Sequence, residues 1–221
     1  MSLHLQRDLD LLKKEILQLG SMVENAIMNA TVSLNQRRPE LARRVFEGET
    51  LIDEREVQIE EFCLKILALH QPVATDLRFI VVALKVNNDL ERMGDFAENV
   101  AERAVFLSSK KPLRRPLGLL DNMSRTIRTM VRQSLDSLVK LDVELAREVI
   151  DKDFEVDEIN RLMYVQLQTL MENDNSTVQR GVSLLSTSRY LERIADLATN
   201  ICEDVLFMVE GEVVRHKIKG C

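Results

Sequence analysis

At 221 residues, with Gly (7) and Pro (4) scarce, aromatics at 4% and charged residues at 30%, the chain has the composition of long amphipathic helices. A formal net charge of -6, with no Lys/Arg run longer than two residues, argues against nucleic acid as a partner, because phosphate neutralisation needs a concentrated basic face. Three distant cysteines without metal-type spacing (Cys63, Cys202, Cys221) read as reduced cytosolic thiols, two in helical core and one at the tail. Charges interrupt every apolar pair at the N-terminus, so no signal peptide is expected there. The longest apolar run, Phe79 to Leu84, falls far short of the roughly 20 residues that span a bilayer. A soluble cytoplasmic protein is the expectation.

All four prolines (Pro39, Pro72, Pro112 and Pro116) stand where a helical reading wants breaks. The first helix is expected from about Leu5 to Gln36, with Leu9, Leu12, Ile16, Leu19, Val23, Ile27, Ala30 and Leu34 at three- and four-residue steps. The second runs from about Glu40 to His70, its apolar face formed by Ile52, Ile59, Phe62, Ile66 and Leu69. Thr75 is the expected N-cap of the third helix, with Asp76 in its first turn facing the positive helix end, and the helix continues to about Ser108. The segment Ser108 to Pro116 is rich in proline and charge and marks the boundary between two halves, 1–110 and 111–221. Helices at about Leu117 to Leu141, Val143 to Asn173 and Thr177 to Glu210 follow, the last capped by Asn175 or Ser176.

The halves repeat. The stretch DLERMGDFAENVAERAVF (Asp89 to Phe106) returns as YLERIADLATNICEDVLF (Tyr190 to Phe207), so that Glu91, Asp95, Asn99 and Glu102 match Glu192, Asp196, Asn200 and Glu203 at one offset of 101. Glu40-Leu41-Ala42-Arg43 recurs as Glu144-Leu145-Ala146-Arg147, offset by 104, and so does Glu49-x-x-x-Asp53 as Asp153-x-x-x-Asp157. The drop from 104 to 101 makes the turn before the last helix three residues shorter than its counterpart. The expected fold is all-α: two tandem, internally repeated three-helix bundles, six long helices in all.

Each half carries one [DE]-x-x-x-D step on its second helix and another on its third. At 100° per residue, Glu91, Asp95 and Glu102 share one face, opposite the apolar Met93, Phe96, Val100 and Leu107. A solvated helix face explains any one of these pairs. Four at homologous positions are harder to explain so, because like charges one turn apart oppose the helix by about 0.2–0.5 kcal/mol each. A cation resting on each row accounts for them. The donors are oxygens and no His lies in a motif, which suits Mg, Ca, Mn or iron better than selective zinc binding. The Glu-x-x-His step of di-iron oxidases and ferritins is missing, as are a nucleophile–base constellation and a Gly-rich phosphate loop. Gly94, matched by Ala195, reads as close helix packing, and Arg92 and Arg193 as ion-pair partners of neighbouring acids.

Gln71-Pro72-x-Ala74-x-Asp76-Leu77-Arg78, with Leu90-Glu91-Arg92-x-Gly94-Asp95 and its repeat Leu191-Glu192-Arg193-Ile194-x-Asp196, resembles the PhoU family of bacterial phosphate-regulon accessory proteins. The resemblance covers about Leu5 to Glu210. It implies two similar three-helix bundles with multinuclear iron or zinc clusters on carboxylate-rich surfaces. It implies the ligands Glu49, Asp53, Glu91 and Asp95 in one half and Asp153, Asp157, Glu192 and Asp196 in the other, each row extended by Asn99 or Asn200. Two departures from the family pattern are Ala195 in place of a common Gly and Glu49 in place of a common Asp. The implied role is not enzymatic: a negative regulator of phosphate uptake, often dimeric, that links the ATPase subunit of the phosphate ABC transporter to a sensor histidine kinase and meets the membrane only through the transporter. The competing reading from the acids is a metal-dependent hydrolase or metal-storage protein.

Overall fold

The computed structural model describes residues 3–210, and only the backbone of 114–117. Six long helices make up nearly all of it: α1 (Leu3–Gln36), α2 (Pro39–His70), α3 (Ala74–Ser108), α4 (Arg114–Lys140), α5 (Val143–Asn173) and α6 (Val178–Glu210), with a 3-10 turn at Asn175–Thr177. The expected Cys221 lies outside the described residues.

The turns explain where each helix stops. Arg37 takes a left-handed φ of 55° after α1, and Pro39 opens α2 at a position where its missing N–H costs nothing. Gln71 closes α2 in the left-handed conformation (φ 45°), donating its N–H to Leu67 O at 3.2 Å. Thr75 is not the cap of α3: Val73, extended after Pro72, holds that position without a side-chain bond, and Thr75 already lies inside the first turn. Helix α4 starts at Arg114, ahead of the expected Leu117, because proline is tolerated in a first turn whose N–H groups have no partners. Asp142 caps α5, accepting from Leu145 N at 3.0 Å. Neither Asn175 nor Ser176 caps the last helix. Asp174 caps the 3-10 turn ahead of it, accepting from Ser176 N at 2.9 Å.

Helices α1 to α3 pack mutually, as do α4 to α6. Between the halves, α1 packs on α4 and α3 on α6, so equivalent helices meet equivalent helices, while α2 and α5 stay on the outside. One continuous apolar core, including Leu12, Ile27, Ile80, Met93, Met123 and Ile194, runs through both halves. Two close approaches fix the helix spacing. A Cβ added to Gly20 would lie 2.2 Å from Leu135 Cδ1, so α1 and α4 touch there through a bare backbone. A Cβ at Gly94 would lie 3.3 Å from both Cδ1 and Cγ2 of Ile52, as its reading as a packing glycine requires. Phe96 and Tyr190 stack across the interface of the halves at 6.1 Å. Leu69, expected in the apolar face of α2, is exposed.

Candidate functional site: two acidic seams

The repeated acids do not simply face outward. Only Asp53, Asp157 and Glu102 are exposed; Glu49, Glu91, Asp95, Asn99, Asp153, Glu192, Asp196 and Asn200 are half-buried. They line the seam where the outer helix of each half packs on its third helix, so a residue opposite the apolar stripe of one helix is shielded by the other. In the first half the crowd is larger than the four [DE]-x-x-x-D residues. Helix α2 adds Glu56 and α3 adds Glu98, both half-buried. The sequence carried a signal for them: Glu49-x-x-x-Asp53-x-x-Glu56 and Glu91-x-x-x-Asp95-x-x-Glu98 have the same i, i+4, i+7 spacing, which keeps three side chains on one helix face.

The electrostatics register this convergence. Glu49 is pushed up to about 7, first by burial and then by Asp53, Glu98 and Asp95, with a hydrogen bond shared with the Asp95 carboxyl. Burial raises Glu91 as well, helped by Asp95, Asp53 and Glu56 and opposed by Arg92. Glu98 is raised by burial and then by Glu102, Asp95 and Asp53; Glu56 by burial and then by Glu60 and Asp53. Asp53 acts on all four, so it stands at the middle of the seam. Arg92 pairs with Asp89 at 3.8 Å, as an arginine beside acids should. Asn99 commits its Nδ2 to the Asp95 carbonyl at 2.8 Å, which leaves Oδ1 as the end that can accept.

The second seam follows the same plan with less charge. Glu192 is raised by burial and by Asp196 and Asp157, but Arg189 and Arg193 pull the other way. Equivalent to Glu56, Glu60 and Glu98 stand Asn160, Tyr164 and Thr199. The Thr199 hydroxyl donates to the Asp196 carbonyl at 2.7 Å, one turn back on its own helix.

As a donor set the seams suit a hard cation: carboxylates and an amide oxygen from two rigid helices, with no thiolate or imidazole nearby. Among the described residues no three His, Cys, Asp or Glu side chains converge on one ligand position. Like charges spread flexible carboxylates apart, so convergence and crowding are separate properties. The crowding is present: burial, and then neighbouring carboxylates, raise several half-buried acids above their ordinary range.

Six long helices in two equivalent halves, with an acidic seam at the same place in each, define a tandem-repeat helical protein. The family model of the PhoU domain matches the chain twice, at residues 16–104 and 120–205, and the chain belongs to the PhoU family. It is 40% identical over 211 residues to the phosphate-specific transport system accessory protein PhoU homolog of Aquifex aeolicus, covering 96% of this chain and 95% of that protein. It is 32% identical to phosphate-specific transport system accessory protein PhoU of Escherichia coli, with 95% and 86% covered. The crystal structure of PhoU from Pseudomonas aeruginosa superposes with a TM-score of 0.91 at 33% identity, over 94% of this chain and 99% of that one. Among the described residues, no helix is long and apolar enough to cross a membrane.

Proposed function

We propose that this chain is an accessory regulator of phosphate-specific transport, working in the cytoplasm as a non-catalytic adaptor whose acidic seams bind metal. Its family membership supports the transport role. The observation that carries the metal reading is the doubling of half-buried carboxylate seams at homologous positions, with crowded acids in each. Glu49, Asp53, Glu91 and Asp95 would hold the ions of one seam, and Asp153, Asp157, Glu192 and Asp196 those of the other, with Asn99 and Asn200 adding amide oxygens. Bound iron, zinc or manganese would convert each seam from a repulsive strip into a neutral, rigid face. The metal-bearing faces on α2/α3 and α5/α6 would then shape the surfaces that dock the ATPase subunit of the phosphate transporter and a sensor histidine kinase, restraining uptake when phosphate is plentiful. A homodimer, and halves at 1–110 and 111–221 acting as paired docking units, belong to the same reading.

The test is co-purification. The chain, expressed with the transporter ATPase subunit, should be retained with it and released as phosphate falls, and deleting the gene should leave phosphate uptake and phosphatase expression high in rich phosphate. Normal regulation in the deletion strain overturns the regulatory reading. Turnover of a phosphoester by the metal-loaded protein, lost in Asp95→Asn, would favour the hydrolase instead.

A further inference from the structure

The halves differ at one corner, where the first helix of each meets the end of the second. In the first half, His70 Nε2 in the last turn of α2 lies 3.0 Å from Asp8 Oδ2 on α1, and both side chains are largely buried. That contact clips the two helices together. The inner helices repeat at the same offset of 104 as the outer ones, Ile16, Leu19 and Val23 returning as Leu120, Met123 and Ile127. Asp8 and His70 therefore correspond to Pro112 and Asp174, a proline ring and a carboxylate, which cannot make that bond. Where the clip is missing, a groove of about 1130 Å³ runs between the inter-half connection, the start of α4 and the end of α5.

One wall of the groove is pinned. Arg180 on α6 donates from Nη1 to Lys111 O at 2.8 Å and from Nη2 to Ser176 O at 3.2 Å, which holds the inter-half connection in place. Both acceptors are neutral carbonyls, so the guanidinium keeps its charge, and the exposed Lys111 adds a second cation to the lining. Leu119, Val165 and Leu170 supply apolar surface, with Val165 itself 52% exposed, and Gln166 offers an amide able to meet a peptide backbone. Among the described residues Asp174 is the only acid in the lining, and it already accepts from Ser176 N at 2.9 Å.

Small-molecule sites occupy roughly 300–1,000 Å³, so a space above that range suits a stretch of chain. Cations beside apolar surface, on a protein of net charge -6, select an acidic occupant. We propose that this groove docks an acidic, partly apolar peptide segment of a partner protein. Its acids meet Lys111 and Arg180, and its apolar residues lie on Leu119, Val165 and Leu170. The inference rests on the adaptor reading, to which it gives a docking site, and is independent of the metal reading.

The experiment is fluorescence anisotropy on the full-length protein with a labelled peptide of alternating Glu and Leu, beside a matched Gln–Leu peptide. The Glu–Leu peptide should bind saturably, more weakly as salt rises, and at least tenfold more tightly than its neutral counterpart. Lys111→Glu and Val165→Asp, both at exposed positions, should each weaken it at least tenfold with an unchanged helical circular dichroism spectrum. No saturable binding, equal affinity for the two peptides, or binding untouched by both substitutions overturns the proposal. So does Lys111-dependent binding to phosphatidylglycerol vesicles without peptide binding, which would make the groove a lipid-headgroup site. Retention of the transporter ATPase subunit by a chain that binds no Glu–Leu peptide would overturn the groove and leave the adaptor standing.

Discussion

Lys85 on α3 donates from Nζ to Asp204 Oδ1 on α6 at 2.9 Å, tying one half of the molecule to the other. The Asp204 side chain is only 4% exposed, whereas that of Lys85 is 38% exposed and also lies over the Phe207 ring at 5.8 Å. Its equivalents by the repeat are Ser186 and Arg103, so the approximate symmetry of the halves is broken here. Removing the lysine takes a cation away from a buried carboxylate. Lys85→Met should destabilise the fold by about 3 kcal/mol in urea unfolding, and Lys85→Met/Asp204→Leu should recover most of that loss.

Glu49 gives the first seam a pH signature. Its folded-state value of about 7 lies above the ordinary 4.5, so between those limits the native chain holds a proton that the unfolded chain has released. The contribution to stability is therefore complete below the lower value and is lost as pH rises through the upper one. Chelator-treated protein should lose stability across this window, by about 1 kcal/mol from this half-buried group after solvent screening. Glu49→Gln should flatten that part of the profile in thermal melts, and an unchanged slope would remove Glu49 as its source.

Burial pushes both helical thiols up to about 12, with Glu60 adding to Cys63, and Ser137 weakly opposing the rise at Cys202. Thiol reagents attack the thiolate, so neither group should react in the folded state. A Cys221→Ser variant should show no reaction with Ellman's reagent in buffer and two thiols after denaturation. Fast native labelling would mean that one of these helices opens locally.

Gly94 holds α2 close to α3 beside the first seam. Because Ile52 is buried and β-branched, it has little room to yield to a side chain built only 3.3 Å away. Gly94→Val should cost about 1–3 kcal/mol by overpacking, measured by denaturant unfolding. The second half carries Ala195 at the matching position, fully buried, so a single methyl has been accommodated there.

The helices were legible because apolar residues such as Leu9, Leu12 and Ile16 recur at helical steps and prolines mark the breaks. The α5 span, Val143 to Asn173, coincides with expectation to the residue. Caps were harder: Thr75 is a good capping type, yet Val73 holds the position without a side-chain bond, and Asn175 and Ser176 fall inside a 3-10 turn that Asp174 caps. The acidic rows could be read on each helix, but one helix cannot reveal what covers it. Half-burial of Glu91 and Asp95 follows from α2 lying over them, which is tertiary information. Glu56 and Glu98 were visible as i+7 members of two rows and gain meaning only when those rows face each other.

The most direct measurement is the metal content of untagged protein by plasma mass spectrometry, beside a Glu91→Gln/Asp95→Asn/Glu192→Gln/Asp196→Asn variant that keeps side-chain size. The expected result is stoichiometric metal in the parent and none in the variant, with both equally helical. Metal absent from both, or retained in the variant, would contradict the seams as metal sites and return these acids to the role of partly covered helix faces.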